Sequence, residues 1–126
     1  MEDQTEFSVI PGAILLTGRI ICLDGIEVDV LKSIGIRSGT GMTAVVQTDS
    51  FTYNCWVRGR HNILRYCSAH AHRSYAHKHI YDPFDRGREV ECRELRTEDE
   101  IPTLREVIEE LQAWHQETAH RLSDLV

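Results

Sequence analysis

The sequence predicts an α+β fold, an antiparallel sheet of five or six strands with a C-terminal amphipathic helix packed on one face. Three observations carry this expectation. Short apolar runs recur between turn signals from Ala13 to Leu95. Ile26, Val28 and Val30 alternate with Glu27 and Asp29, the period of a half-buried antiparallel strand. The stretch after Pro102 then switches to helical spacing. With helix and strands segregated along the chain, the helix has to cover one sheet face.

The elements follow in order. Ala13 to Leu23 is read as the first strand, with Gly18 as a bulge or kink. Asp24-Gly25 is a hairpin turn signal, and the strand from Ile26 extends toward Ile36. Arg37 to Gly41 is a loop by composition. Met42 to Thr48 is a third strand, Asp49-Ser50 a turn, and Phe51 to Val57 a fourth strand with Phe51, Tyr53, Cys55 and Val57 on one face. Arg58 to Asn62 connects to a fifth strand, Ile63 to Cys67. From Ser68 to Tyr81 the periodicity fades. Asp82-Pro83 opens a turn reaching Gly87, and Arg88 to Leu95 is a sixth strand.

The helix is the best-marked element. Thr103-x-x-Glu106 is a capping box with Thr103 as the N-cap. Leu104, Val107, Ile108, Leu111, Trp114 or His115, and Leu122 recur on one face, with Arg105, Glu109, Gln112 and Gln116 opposite. His115 and His120 on this helix are read as ordinary surface or half-buried residues.

The 126 residues suit a single domain, 1–126, large enough to bury a core without disulfides. Apolar residues make up 41% and charged residues 27%, which excludes a disordered chain. No apolar run approaches the roughly 20 residues of a membrane span. The acidic stretch from Met1 to Glu6 lacks the basic start of a secretory signal. The expectation is a cytoplasmic protein without membrane partners. Cys22, Cys55, Cys67 and Cys92 form no C-x-x-C pair. Cys22, Cys55 and Cys92 are read as small buried hydrophobes, and Cys67, three residues before His70, as a weak ligand candidate.

The net charge of −6 is unevenly spread. Residues 1–57 hold three basic and seven acidic residues, and residues 94–126 three and nine. Residues 58–93 hold eight basic and four acidic, with five histidines. An acidic chain binds nucleic acid poorly in general, but this segment can present a local positive patch. The competing reading pairs its arginines with Asp82, Asp85, Glu89 and Glu91 on solvated strand faces.

The chemistry-bearing stretch runs from Arg65 to Tyr81 and places His70, His72, His77 and His79 within ten positions. Residues two apart in extended backbone point the same way, so each His-x-His pair offers two imidazoles on one face, roughly 7 Å apart. Three readings are open. In the first, metal-free acid–base cleavage of RNA, one imidazole takes the ribose 2′-hydroxyl proton and another protonates the leaving 5′-oxygen. His77, His79 and His70 with Arg65 and Tyr66 are the catalytic candidates. Lys78, Arg73, His72 and Tyr75 are the substrate-binding ones, since cations stabilise phosphoryl charge and rings stack on bases. This reading needs no cofactor. In the second, His70, His72, His77 and His79 bind a divalent transition metal such as zinc in a non-catalytic metal-binding or interaction module. In the third, the histidines merely hydrogen-bond along an edge strand or loop.

The run Arg65-Tyr66-x-x-Ala69, the histidines after it, and Ala76-His77-Lys78-His79 resemble the TumE family of toxins from prokaryotic toxin–antitoxin pairs. That pattern reads Arg-Tyr-Asp-Asn-Ala, a histidine pair, then an aromatic-Pro-His-His-x-His block, and it closes on an acidic, Leu-rich helix like Pro102 to Leu111. The likeness covers mainly residues 63–111. Cys67 and Ser68 stand where the pattern has Asp and Asn, and Ala76 where it has the first histidine of the block. The resemblance implies a small intracellular toxin, by analogy a ribonuclease, neutralised by direct contact with a cognate antitoxin that carries a DNA-binding domain. It places Arg65, Tyr66, His77 and His79 on the recurring positions, and His70 or His72 on the earlier pair. An antitoxin would meet the basic 58–93 region with an acidic or inserted segment. A two-fold homodimer through the helix is compatible with the sequence.

Overall fold

Eight strands and one long helix make up the computed structural model, which describes residues 1–22, 25–38, 44–68 and 76–122. The fold is α+β. Strands β1 (Glu2–Asp3), β2 (Glu6–Ile10), β3 (Ala13–Ile21), β4 (Ile26–Ser38), β5 (Ala44–Val57), β6 (Asn62–Ser68), β7 (Ala76–Asp82) and β8 (Arg88–Leu95) form one antiparallel sheet. From β3 to β8 it is a meander, each strand pairing with the next. A short 3-10 turn, Glu98–Glu100, leads to helix α1, Leu104–Leu122.

The strand count exceeds the five or six expected, for identifiable reasons. β1 and β2 lie in a polar N-terminal stretch without clear alternation, yet both pair with the outer edge of β3. Between them the chain crosses Gly18, where the Gln4 amide donates to the Arg19 carbonyl at 2.8 Å. A Cβ at Gly18 would collide with the Gln4 and Thr5 backbone, so only glycine fits there, at φ +136°. The two strands expected at 42–57 are one. Asp49 is the extra residue of a bulge rather than part of a turn, since Ser33 pairs with Ser50 and Ile34 with Thr48. Its carboxylate lies over Gly35, the position opposite that carries no side chain. β7, finally, is a regular strand inside the stretch where periodicity faded.

The capping box and the turn at Asp82 form as expected, while Asp24 of the expected hairpin turn and residues 39–41 of the expected loop lie outside the described residues. The Thr103 hydroxyl accepts from the Glu106 amide at 3.2 Å and Glu106 accepts from the Thr103 amide at 3.1 Å, closing the capping box. The β7–β8 turn is built on Asp82. Its carbonyl accepts from Asp85 and Gly87, and its side chain accepts from the Phe84 amide at 2.9 Å.

The core lies between the helix and one sheet face. Val28, Cys55 and Val107 are 0% exposed and Leu111 is 1% exposed, packed with Ile26, Tyr53, Leu64 and Ala76. Each such aliphatic side chain contributes ~1.5–3 kcal/mol by leaving water. The far end of the helix reaches the β7–β8 turn, where Trp114 stacks on Phe84 with ring centres 6.3 Å apart. The Arg121 guanidinium also lies over the Phe84 ring, 3.9 Å from its centre. The helix thereby holds down the turn that sets β7 against β8. No helix among the described residues is long and apolar enough to cross a membrane.

Candidate functional site

Side chains alternate across β7, and the helix covers one face of the sheet, so alternation sorts the strand's residues into two environments. Ala76 and Lys78 point under the helix. His77, His79 and Tyr81 point to the opposite, open face, with His77 and His79 ring centres 6.1 Å apart and the Tyr81 ring stacked beside His79 at 6.3 Å.

Neighbouring strands extend this into rows. Asn54, Arg65, His79 and Cys92 are direct partners across β5, β6, β7 and β8. Thr52, Cys67, His77 and Glu94 form the next row. A one-residue bulge after Ile80 sets Glu89 across from Tyr81, on the same face. His79 Nδ1 meets the Glu89 carboxylate at 2.5 Å. That contact orients the ring and leaves Nε2 pointing away from the carboxylate.

Arg65 is the cation of the row. Its Nε is buried and meets no hydrogen-bond partner among the described residues. A buried donor of this kind is costly unless a ligand supplies the acceptor. Burial raises the Tyr81 phenol above its ordinary range, and the positive charge of Arg65 works against that rise. The Cys92 thiol is also raised, first by desolvation and then by Glu89, Cys67 and Glu94, with Arg65 opposing. A cleft of ≈ 640 Å³ continues the open face past Asn54, lined by Arg19, Asp29, Leu31 and Thr52. Beyond it Glu27 is buried at 3% exposure, bound by Arg58 at 3.1 Å, while Arg19 sits 5.1 Å over the Trp56 ring.

The sequence-derived residues divide accordingly. His77, His79 and Arg65 come together. His70, His72, Arg73 and Tyr75 lie outside the described residues. Tyr66 and Lys78 are on the other face, which corrects their expected roles. Tyr66 is 6% exposed, and its hydroxyl donates to Glu110 Oε1 on the helix at 2.6 Å. Lys78 Nζ donates to Glu110 Oε2 at 2.5 Å and lies 5.1 Å over the Tyr66 ring. Burial, then the bond to Glu110 and its charge, push the Tyr66 phenol far above its ordinary range. It stays protonated and faces no solvent-reachable substrate. Tyr66, Lys78 and Glu110 fasten the helix to the strand that carries the histidines.

Three residues were missed. Glu89 was read only as an arginine partner and Asn54 not at all. Cys92, expected to be a buried hydrophobe, is exposed on β8. Cys55 is buried as expected, and Cys22 is half-buried. Once β7 is known to be a strand, the Asp82–Gly87 turn folds β8 back beside it. The bulge then decides which β8 residues share the histidine face. The basic segment is largely neutralised by neighbours. Arg88 pairs with Asp85 at 2.8 Å and Arg93 with Glu91 at 3.1 Å, on exposed surfaces, while Arg65 has no such partner among the described residues.

We compared the chain with protein-family models, curated proteins and solved structures. None matches. The reading of the site therefore rests on its own geometry. His79, Glu89 and Cys92 bring one ligand atom each within 4.8 Å of one another, a donor set suited to a metal ion. Of the expected ligands His70, His72, His77 and His79, the first two lie outside the described residues and, of the other two, only His79 belongs to this set.

Proposed function

We propose that the protein is a small ribonuclease, the toxin of a toxin–antitoxin pair, and that the open face around His77 and His79 cleaves RNA by acid–base chemistry. One observation carries this reading. Two imidazoles sit side by side on one face, ring centres 6.1 Å apart, with Arg65, whose buried Nε meets no hydrogen-bond partner among the described residues, directly opposite one of them. The spacing allows each ring to lie within hydrogen-bond reach, ~3 Å, of one apical oxygen of a phosphodiester in line.

The roles follow from the contacts. Glu89 accepts the Nδ1 proton of His79, so Nε2 carries the lone pair and takes the 2′-hydroxyl proton. The 2′-oxygen attacks phosphorus, His77 delivers a proton to the departing 5′-oxygen, and a 2′,3′-cyclic phosphate and a 5′-hydroxyl result. Arg65 stabilises the charge that builds on the phosphoryl oxygens. The cleft past Asn54 gives the RNA strand a path along the same face.

Cys67 stands where the TumE-like pattern has an Asp, and in this chain the carboxylate that orients His79 is that of Glu89. This reading places the protein in the cytoplasm, held inactive by a cognate antitoxin that covers the open face. The test is growth on expression of the chain alone. Wild type arrests growth, and the double change His77→Ala, His79→Ala relieves the arrest while circular dichroism stays native. A double variant that remains folded and toxic overturns the reading.

A further inference from the structure

We propose that His79, Glu89 and Cys92 form a binding site for a divalent transition metal of the zinc class, whose occupancy withdraws His79 from proton transfer. The site itself rests on ligand geometry alone, and its effect on His79 rests on the ribonuclease reading.

The donor set is mixed. It has one imidazole nitrogen, one carboxylate oxygen and one sulfur, with ligand atoms within 4.8 Å of one another. Zinc accepts all three donor types at bond lengths of ~2.0–2.3 Å, which sets tetrahedral ligand atoms about 3.3–3.7 Å apart. The most distant donor atoms therefore close in by about an ångström, while His79 Nδ1 and Glu89 Oε1, hydrogen-bonded at 2.5 Å, part and release the proton between them. Side-chain rotation supplies that movement, since Glu89 and Cys92 are exposed and Glu89 has 46% of its side chain in water. The backbone frame is already in register. His79 and Cys92 are direct Cα partners on adjacent strands, and the bulge after Ile80 brings Glu89 to the same face.

Electrostatics agree with a cation there. Glu89 and Glu94 both flank Cys92 on β8, two carboxylates on the face where a bound metal takes the sulfur as thiolate and the thiol proton leaves to solvent. Arg65, across from His79, opposes a cation. A thiolate and a carboxylate together outweigh that single charge. The fourth tetrahedral position faces the open side of the sheet, where water or a phosphate oxygen completes it. With a metal on one ring nitrogen, the other nitrogen of His79 is locked as a donor. The ring then has no lone pair to accept the 2′-hydroxyl proton.

The experiment uses the full chain without an affinity tag, stripped of metal, and titrated with zinc against a chromophoric chelator. Cobalt substitution adds a spectroscopic signature. The expected result is one equivalent bound, tetrahedral cobalt bands with a thiolate charge-transfer component, and loss of that component in Cys92→Ser. Zinc affinity should fall roughly tenfold or more in Cys92→Ser and Glu89→Gln. Cys67→Ser, on the same face outside the donor set, should bind as wild type. Absence of stoichiometric binding, or zinc affinity in Cys92→Ser within twofold of wild type, overturns the site. RNA assays separate the two ideas. Zinc binding by a protein that cleaves no RNA supports this site and removes the ribonuclease reading. RNA cleavage unaffected by saturating zinc refutes the withdrawal of His79.

Discussion

β7 carries two contacts to carboxylates, of similar length and opposite purpose. Lys78 meets Glu110 at 2.5 Å under the helix, and His79 meets Glu89 at 2.5 Å on the open face. The residues are adjacent in sequence and separated by the pleat of one strand. Lys78 has 12% of its side chain exposed and Glu110 34%, and Tyr66 shares the same carboxylate. His79 has 19% exposed and Glu89 46%. The covered pair is part of what holds the fold together, and the open pair leaves a titratable ring within reach of solvent. One alternating strand thus supplies structure on one side and chemistry on the other, and the helix decides which is which.

The largest expected effect comes from the covered side. Leu111→Ala, at 1% exposure in the contact between helix and sheet, should cost about 3 kcal/mol. Urea denaturation at constant m-value measures it. A loss below about 1 kcal/mol would mean that the helix is not what closes the core.

A smaller effect sharpens the contrast between the two pairs. A double-mutant cycle on Lys78→Met and Glu110→Gln should give a coupling energy of about 1–2 kcal/mol, because the pair is partly desolvated and shares its carboxylate with Tyr66. The same cycle on His79→Gln and Glu89→Gln should give less than about 0.5 kcal/mol, because water screens the exposed carboxylate. Equal coupling on both faces would erase the distinction.

Much of the covered side was legible in the sequence. The capping box, the alternation of Ile26, Val28 and Val30, and the face of Phe51, Tyr53, Cys55 and Val57 are local signals, and local physics dictates them. The open side was legible only in part. His77 and His79 share a face because they are two apart, and Arg65 carries the only charge between Ile63 and Ser68. Glu89 and Cys92 depend on a bulge, and a one-residue shift would have put Glu91 on that face instead. Tyr66 and Lys78 were misplaced for the same reason. Their charge and hydroxyl resemble site residues until a carboxylate 44 or 32 positions away closes on them from the helix. Asp49 read as a turn residue because its type favours turns, while the missing side chain at Gly35 made room for a bulge.

The most direct measurement is of the ends left on RNA by the purified, metal-free chain in the presence of a chelator. Proton transfer by His77 and His79 to and from ribose and phosphate oxygens predicts 2′,3′-cyclic phosphate and 5′-hydroxyl ends, with cleavage abolished at a 2′-deoxy position. Ends bearing a 5′-phosphate, cleavage at the 2′-deoxy position, or intact RNA under these conditions would contradict it.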